Sequence, residues 1–294
     1  MRRKAFLDCS LHEVFRFGYK LMFVFLVGVI LLSCYSIYPE SQWINLNGDT
    51  IKNRFKVPSG YQRIAASENS FAEYLQNLKL KKHGSKVYLY NKELKYPETV
   101  YDAVIDMDVG EKDLQQCADA VMRLRAEYLY NQEKYEEIHF NFTNGFNADY
   151  NMYAQGYRFH FSRNSVSWKK KAKIDYSYKT FRNYLEIVYN YAGSASLSKE
   201  LKLVKDTLNI KIGDVFIQGG FPGHAVIVVD MAKSKTSGEK IFLIAQSYMP
   251  AQDIQVLKNP NNDKLSPWYS NQNLDTLITP EWTFEKNTLK RFQR

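Results

Sequence analysis

The stretch IGDVFIQGGFPGHAVIVVDMA, residues 212–232, decides the fold. It holds two apolar runs separated by Gly219, Gly220, Pro222 and Gly223, a composition that reads as a turn between two strands. The second run begins at His224 and continues through five consecutive apolar residues, 225–229. Strand side chains alternate between faces. His224, Val226, Val228 and Asp230 therefore share one face, and Ala225, Ile227 and Val229 the other. Both faces are apolar, so the strand is expected at the centre of a sheet.

The next apolar run is IFLIAQ, residues 241–246, reached through a polar loop containing Gly238. Antiparallel pairing is expected. Pairing Asp230 with Lys240 sets opposite charges across the strands and brings His224 opposite Gln246. Opposed residues have Cβ atoms about 5 Å apart, so the Gln246 amide oxygen can accept a hydrogen bond from the ring. That bond would fix the tautomer and leave the other nitrogen as a base. Asp230 is excluded from this part, because six strand residues span about 20 Å. The plainer role for His224 is to cap a strand end against a nearby carbonyl.

Upstream, KDLQQCADAVMRLRAEYLY (112–130) has few helix breakers and is expected to be a helix, N-capped at Asp113 or starting within 110–112. Cys117 then lies in its first turns, where free N–H groups and the positive dipole end favour a thiolate. The same N–H groups can stabilise an oxyanion. Cys117, Val121, Leu124 and Tyr128 also form a stripe at helical spacing, so a core role for the thiol accounts for the same pattern.

The remaining elements suggest one α+β domain. SENSFAEYLQNLKL (67–80) opens a helix with the capping box Ser70-x-x-Glu73. Residues 86–91 and 100–109 read as strands. YKTFRNYLEIVYNYAG (178–193) reads as a helix ended by a left-handed Gly193, and 196–204 as another, capped by Ser196 or Ser198. The segment of about 131–175 is aromatic and rich in Asn and Gly, and it follows no single period. The tail from about 259 is rich in loops.

The chain has 294 residues, 45% hydrophobic and 24% charged, which is ordinary for a globular protein. Aromatics are high at 15%, with 22 Tyr and 18 Phe, most of them expected in the core. The net charge of +9 is dispersed apart from WKKKAK (168–173), which reads as a solvated loop. With no zinc-finger spacing and no RNA-binding signature, no nucleic-acid partner is expected. There is no phosphate-cradling glycine loop and no His-Glu-x-x-His, and His139 and His160 lack ligand partners in the sequence, so no metal or cofactor is expected.

Residues 21–34, LMFVFLVGVILLSC, follow a basic start and read as a secretion signal over 1–34. LLSC (31–34) resembles a bacterial lipobox. The resemblance implies cleavage before Cys34, lipid attachment to its thiol and membrane anchoring, with 35–45 a tether and 46–294 a single domain. An uncleaved anchor over 21–38 is the competing reading. Either one places the domain outside the cytoplasm, in a bacterial cell envelope. Of the three cysteines, Cys9, Cys34 and Cys117, the last alone would keep a thiol after processing and acylation.

The Gly-Asp-apolar-apolar of GDVFIQ followed by the Gly-His-apolar of GHAVIVVD resembles NlpC-type and CHAP-type cysteine hydrolases. These are papain-like enzymes that cut amide bonds in bacterial cell walls. The resemblance implies a Cys-bearing helix packed on a central antiparallel sheet, with Cys117 as nucleophile, His224 as base and Gln246 as orienting residue. The chain departs from the family pattern around Gln116-Cys117-Ala118-Asp119 and in having Gln at 246. The aromatic segment then reads as an insertion, with Asn144, Tyr150 and Tyr157 shaping a groove for a peptide or cell-wall fragment. The whole chain is also similar to a family of bacterial lipoproteins with no assigned function. The contrasting expectation is a catalytically inactive lipoprotein that binds glycan or peptide on the same fold.

Overall fold

The computed structural model describes residues 42–163, 165–272 and 274–293. The expected signal peptide, Cys34 and most of the tether lie outside the described residues. The packed unit is Trp43–Arg294. Ile44 is buried and bridges Phe55, so the domain begins slightly before the expected boundary at 46.

The described helices are α1 (Ile51–Arg54), α2 (Phe71–Gln76), α3 (Cys117–Asn131), α4 (Tyr150–Ala154), α5 (Tyr178–Tyr191) and α6 (Ser194–Glu200). The strands are β1 (Tyr61–Arg63), β2 (Tyr101–Val104), β3 (His139–Asn141), β4 (Asn147–Asp149), β5 (Tyr157–Ser162), β6 (Ser165–Lys170), β7 (Lys202–Leu203), β8 (Val215–Gln218), β9 (His224–Ser234), β10 (Lys240–Gln246), β11 (Gln255–Leu257), β12 (Tyr269–Ser270), β13 (Leu277–Ile278), β14 (Thr283–Phe284) and β15 (Leu289–Arg291).

The central sheet runs β2-β11-β10-β9-β8-β15-β7, with β1 added to the far end of β9 and β12 to the start of β10. All of its pairings are antiparallel. As expected, β9 is central and apolar on both faces. Ala225, Ile227, Val229 and Ala232 join the large core with α2, α3, α5 and the aromatic segment. Val226, Val228 and Met231 join a second core with Phe242, Ile244, Tyr269 and Phe284. The chain is α+β, with helices over one face and the C-terminal strands over the other.

The face change between Val229 and Met231 marks a correction. Asp230 does not pair with Lys240. Lys240 faces Lys233, Asp230 faces Leu243, and the register shifts between Leu243 and Ile244. Asp230 is instead fully buried against Arg63 (2.9 Å) and the Gln76 amide (2.7 Å), and a third hydrogen bond comes from its neighbour's N–H. Pairing the buried carboxylate with these donors outweighs a surface charge pair, since an unpaired buried carboxylate is far more expensive.

Other boundaries moved for local reasons. Ser70 caps α2 by accepting from Glu73 N–H at 3.1 Å, but Glu73 reaches back to Asn69 N–H, and the helix ends at Gln76. The chain then extends, and Lys79 and Leu80 form bridges to Thr50 and Ile105. Residues 86–91 form only isolated bridges, and β2 is shorter than expected. Gly193 has φ of 171°, an extended backbone rather than a left-handed one, and it precedes α6 instead of closing α5. The aromatic segment of about 131–175 resolves into the hairpins β3–β4 and β5–β6 around α4. Among the described residues, no helix is long and apolar enough to cross a membrane.

A candidate active site around Cys117 and His224

The turn between β8 and β9 sets His224. A Cβ on Gly219 would lie 2.8 Å from Ser198 Cβ, and one on Gly223 would lie 2.4 Å from Ser194 Oγ. Glycine is required because the turn presses directly on α6. His224 follows as the first residue of β9 and is 2% exposed. Its ring packs among Tyr248, Trp282 and Phe284, with centroids 4.8, 5.2 and 5.7 Å away.

His224 Nε2 lies 2.8 Å from Gln246 Oε1. The expected partner is therefore in place, although not by the expected register. Ala245 pairs with Ile227, which sets Gln246 diagonal to His224 rather than opposite. Diagonal neighbours about 7–8 Å apart remain within reach of a long side chain. Gln246 Nε2 donates to Glu281 Oε2 at 2.7 Å, and Lys95 Nζ donates to Glu281 Oε1 at 2.6 Å. Lys95 is buried and Glu281 half-buried, at 4% and 13% side-chain exposure. The result is a line of four polar side chains, Lys95–Glu281–Gln246–His224. Burial pushes His224 down to about 4, opposed by the Gln246 bond and reinforced by the Lys95 charge. The imidazole is neutral at neutral pH.

Cys117 is the first residue of α3, so the expected start at Asp113 is corrected. Asp113 Oδ1 instead accepts from Ala251 N–H at 2.7 Å and from Gln116 Nε2 at 3.0 Å. Asp119 performs the capping by accepting from Gln116 N–H at 3.1 Å. The Ser247 hydroxyl lies 3.1 Å from Gln115 O. The turn carrying Cys117 is thereby tied to residues 247–251, which follow directly on Gln246.

The Cys117 sulfur is approached by the N–H groups of Ala225, Ala118 and Cys117 itself. Burial first, and the nearby Asp119 second, push the thiol up to about 11 in spite of these donors. Asp119 is itself pushed well above the usual carboxylate range by burial, and its Oδ1 has no hydrogen-bond partner among the described residues. Ala225 adjoins His224, whose ring packs against Tyr248. Cys117 shares a core with Ala225 on one face of β9, whereas the His224 ring packs with Trp282 and Phe284 on the other. No hydrogen bond joins the thiol to the ring among the described residues. Cys117 is 9% exposed. It also belongs to the buried helix stripe with Val121, Leu124 and Tyr128, as the spacing suggested.

The three residues expected to shape a groove take other roles. Asn144 is exposed in the β3–β4 turn, where its Oδ1 accepts from Phe146 N–H at 3.0 Å. Tyr150 is fully buried in an aromatic cluster with Tyr130, Tyr135, Tyr176, Phe181 and Tyr184, so it lines no open groove. Tyr157 lies under Lys170, with Nζ 4.9 Å from the ring centroid. No ring contact or hydrogen bond among the described residues links these three to Cys117, His224 or Gln246. The insertion is aromatic because its hairpins extend the large core over α5.

Sequence reasoning missed Glu281, Lys95, Tyr248 and Trp282. Glu281 lies 186 residues from Lys95, and neither sits in a periodic segment. Only Tyr248, two residues past Gln246, carried a signal, because it continues the strand alternation. No group of three or more His, Cys, Asp and Glu side chains among the described residues could hold a metal ion.

The family model described as Domain of unknown function (4846) matches residues 51–291, from α1 through β15, and the chain belongs to that family. No curated protein and no solved structure matches the chain.

Proposed function

We propose that the protein is a lipid-anchored cell-envelope cysteine hydrolase that cleaves an amide bond in a peptide or peptidoglycan fragment. The observations that carry this reading are the 2.8 Å bond from His224 Nε2 to Gln246 Oε1 and a cysteine that opens a helix. Gln246 holds the ring with its proton on Nε2, leaving Nδ1 as the base. Cys117 Sγ attacks the carbonyl carbon while His224 Nδ1 takes the thiol proton. The helix-start N–H groups stabilise the oxyanion. The imidazolium then protonates the leaving amine, and water hydrolyses the acyl thioester with His224 again as base.

Burial raises the thiol to about 11 and lowers the imidazole to about 4, which favours the neutral pair at rest and couples proton transfer to attack. Anchoring through Cys34 and the envelope location rest on residues 21–34, and incorporation of a lipid precursor that is lost in Cys34→Ala tests them.

A second reading is a non-catalytic binding lipoprotein on the same fold. The near-complete burial of Cys117 and its raised thiol favour it. Alkylation of Cys117 by iodoacetamide, followed on its own peptide by mass spectrometry at pH 7, separates the two. Base assistance predicts a rate about 100-fold higher in the wild type than in His224→Ala. Equal rates in the two proteins sink the hydrolase reading and leave the binding one.

A further inference from the structure

We propose that Glu281, held by Lys95, sets the ring tautomer of His224 by dictating which way the Gln246 amide faces. Its catalytic meaning, as a positioning residue, rests on the hydrolase reading above. The positioning itself does not.

Glutamine alone cannot choose a tautomer. Its amide presents an acceptor on one side and a donor on the other, and a half-turn exchanges them at almost no change in shape. A histidine facing a free glutamine satisfies it equally well as donor or acceptor. Glu281 removes the ambiguity. An ionised carboxylate only accepts, and an ammonium only donates. Lys95 Nζ occupies Glu281 Oε1 at 2.6 Å, so Oε2, 2.7 Å from Gln246, must receive an N–H. A flipped amide would set two acceptor oxygens against each other in a buried site, where the missing bond is expensive. The Gln246 NH2 group therefore faces Glu281, and its oxygen faces His224. That oxygen can only accept, so the proton sits on Nε2 and Nδ1 carries the lone pair.

The charges are buried for a purpose that packing does not explain. Lys95 is 4% exposed and lies 5.5 Å from the Tyr248 ring centroid. A buried ion pair rarely adds net stability over apolar residues of the same volume. A donor-only and an acceptor-only group in series do, however, impose a direction on the amide beyond them.

The proposal makes an inverted prediction for one variant. In Glu281→Gln, Lys95 draws the new carbonyl oxygen to itself, so the new NH2 faces Gln246. Gln246 must turn its oxygen toward residue 281 and its NH2 toward His224. Nε2 then accepts, and the proton moves to Nδ1. Removing both charges in Lys95→Met with Glu281→Gln frees the amides and yields both tautomers. This pair also covers the case in which a lone buried ammonium unfolds the single variant.

The test is side-chain 15N–1H correlation spectroscopy of the full chain labelled with 15N-histidine, with His224 assigned by the loss of its signals in His224→Gln. The expected wild-type pattern is a protonated Nε2 and a bare Nδ1 at pH 7. The expected Glu281→Gln pattern has Nε2–H as the minor form, and the double variant shows a mixture. A wild type protonated at Nδ1 overturns the proposal, as does Nε2–H persisting as the major form in both variants. Cys117 alkylation, measured in parallel, reports on the hydrolase reading alone. A fall in alkylation rate toward that of His224→Ala accompanies tautomer inversion if His224 acts on the thiol. Inversion with an unchanged alkylation rate retires the enzyme and keeps the positioning.

Discussion

Replacing His224 by glutamine should remove a specific part of the protein's acid sensitivity. His224 is 2% exposed, and burial pushes its imidazole from the ordinary 6.5 down to about 4. Between these values the unfolded chain takes up a proton that the folded chain does not. Stability from this group is complete above pH 6.5 and is lost as the pH falls toward 4. The full difference amounts to about 3 kcal/mol, of which about 2 kcal/mol falls between pH 7 and pH 5. Urea unfolding at the two pH values, followed by aromatic fluorescence, measures it. With a slope of about 3 kcal/mol/M, the wild-type midpoint should drop about 0.7 M further than that of His224→Gln. Asp119, Asp214, Asp230 and Glu200, all raised by burial, oppose this trend. They are present in both proteins, so comparing the two drops cancels them. Equal drops would show that the imidazole is not held neutral by burial, and the site chemistry built on that neutrality would fall.

Three further outcomes test the architecture. Tyr150→Phe removes a buried hydroxyl without a partner, so urea unfolding should show stability unchanged or raised by about 1 kcal/mol, whereas a groove role would instead show in ligand binding. Arg63→Met leaves the Asp230 carboxylate buried with only Gln76 and a backbone N–H, and the same assay should show a loss of about 3–5 kcal/mol. Gly223→Ala forces a Cβ to 2.4 Å from Gly220 O and Ser194 Oγ, so a loss of about 1–3 kcal/mol is expected, along with altered amide chemical shifts at the start of α6.

How much of this was legible depended on how local the cause was. The sequence by itself determined the β8–β9–β10 hairpins, because uninterrupted apolar runs between glycine-bearing turns have few other ways to be buried. It determined α3 and α5 through 3.6-residue periodicity, and it brought forward Cys117, His224 and Gln246. It did not determine the register. Asp230 follows the donors Arg63 and Gln76, which come from elements more than 150 residues away. The bulge they create carries Gln246 to its diagonal position.

Only the tertiary structure decided that Tyr150 is core and that Glu281 and Lys95 stand behind Gln246. Burial and hydrogen-bond direction are properties of groups that meet in space. A polar residue in an aperiodic loop carries no mark of the partner it will find. Periodicity reports which face a residue turns inward. What waits there is settled by the packing of segments the local pattern cannot see.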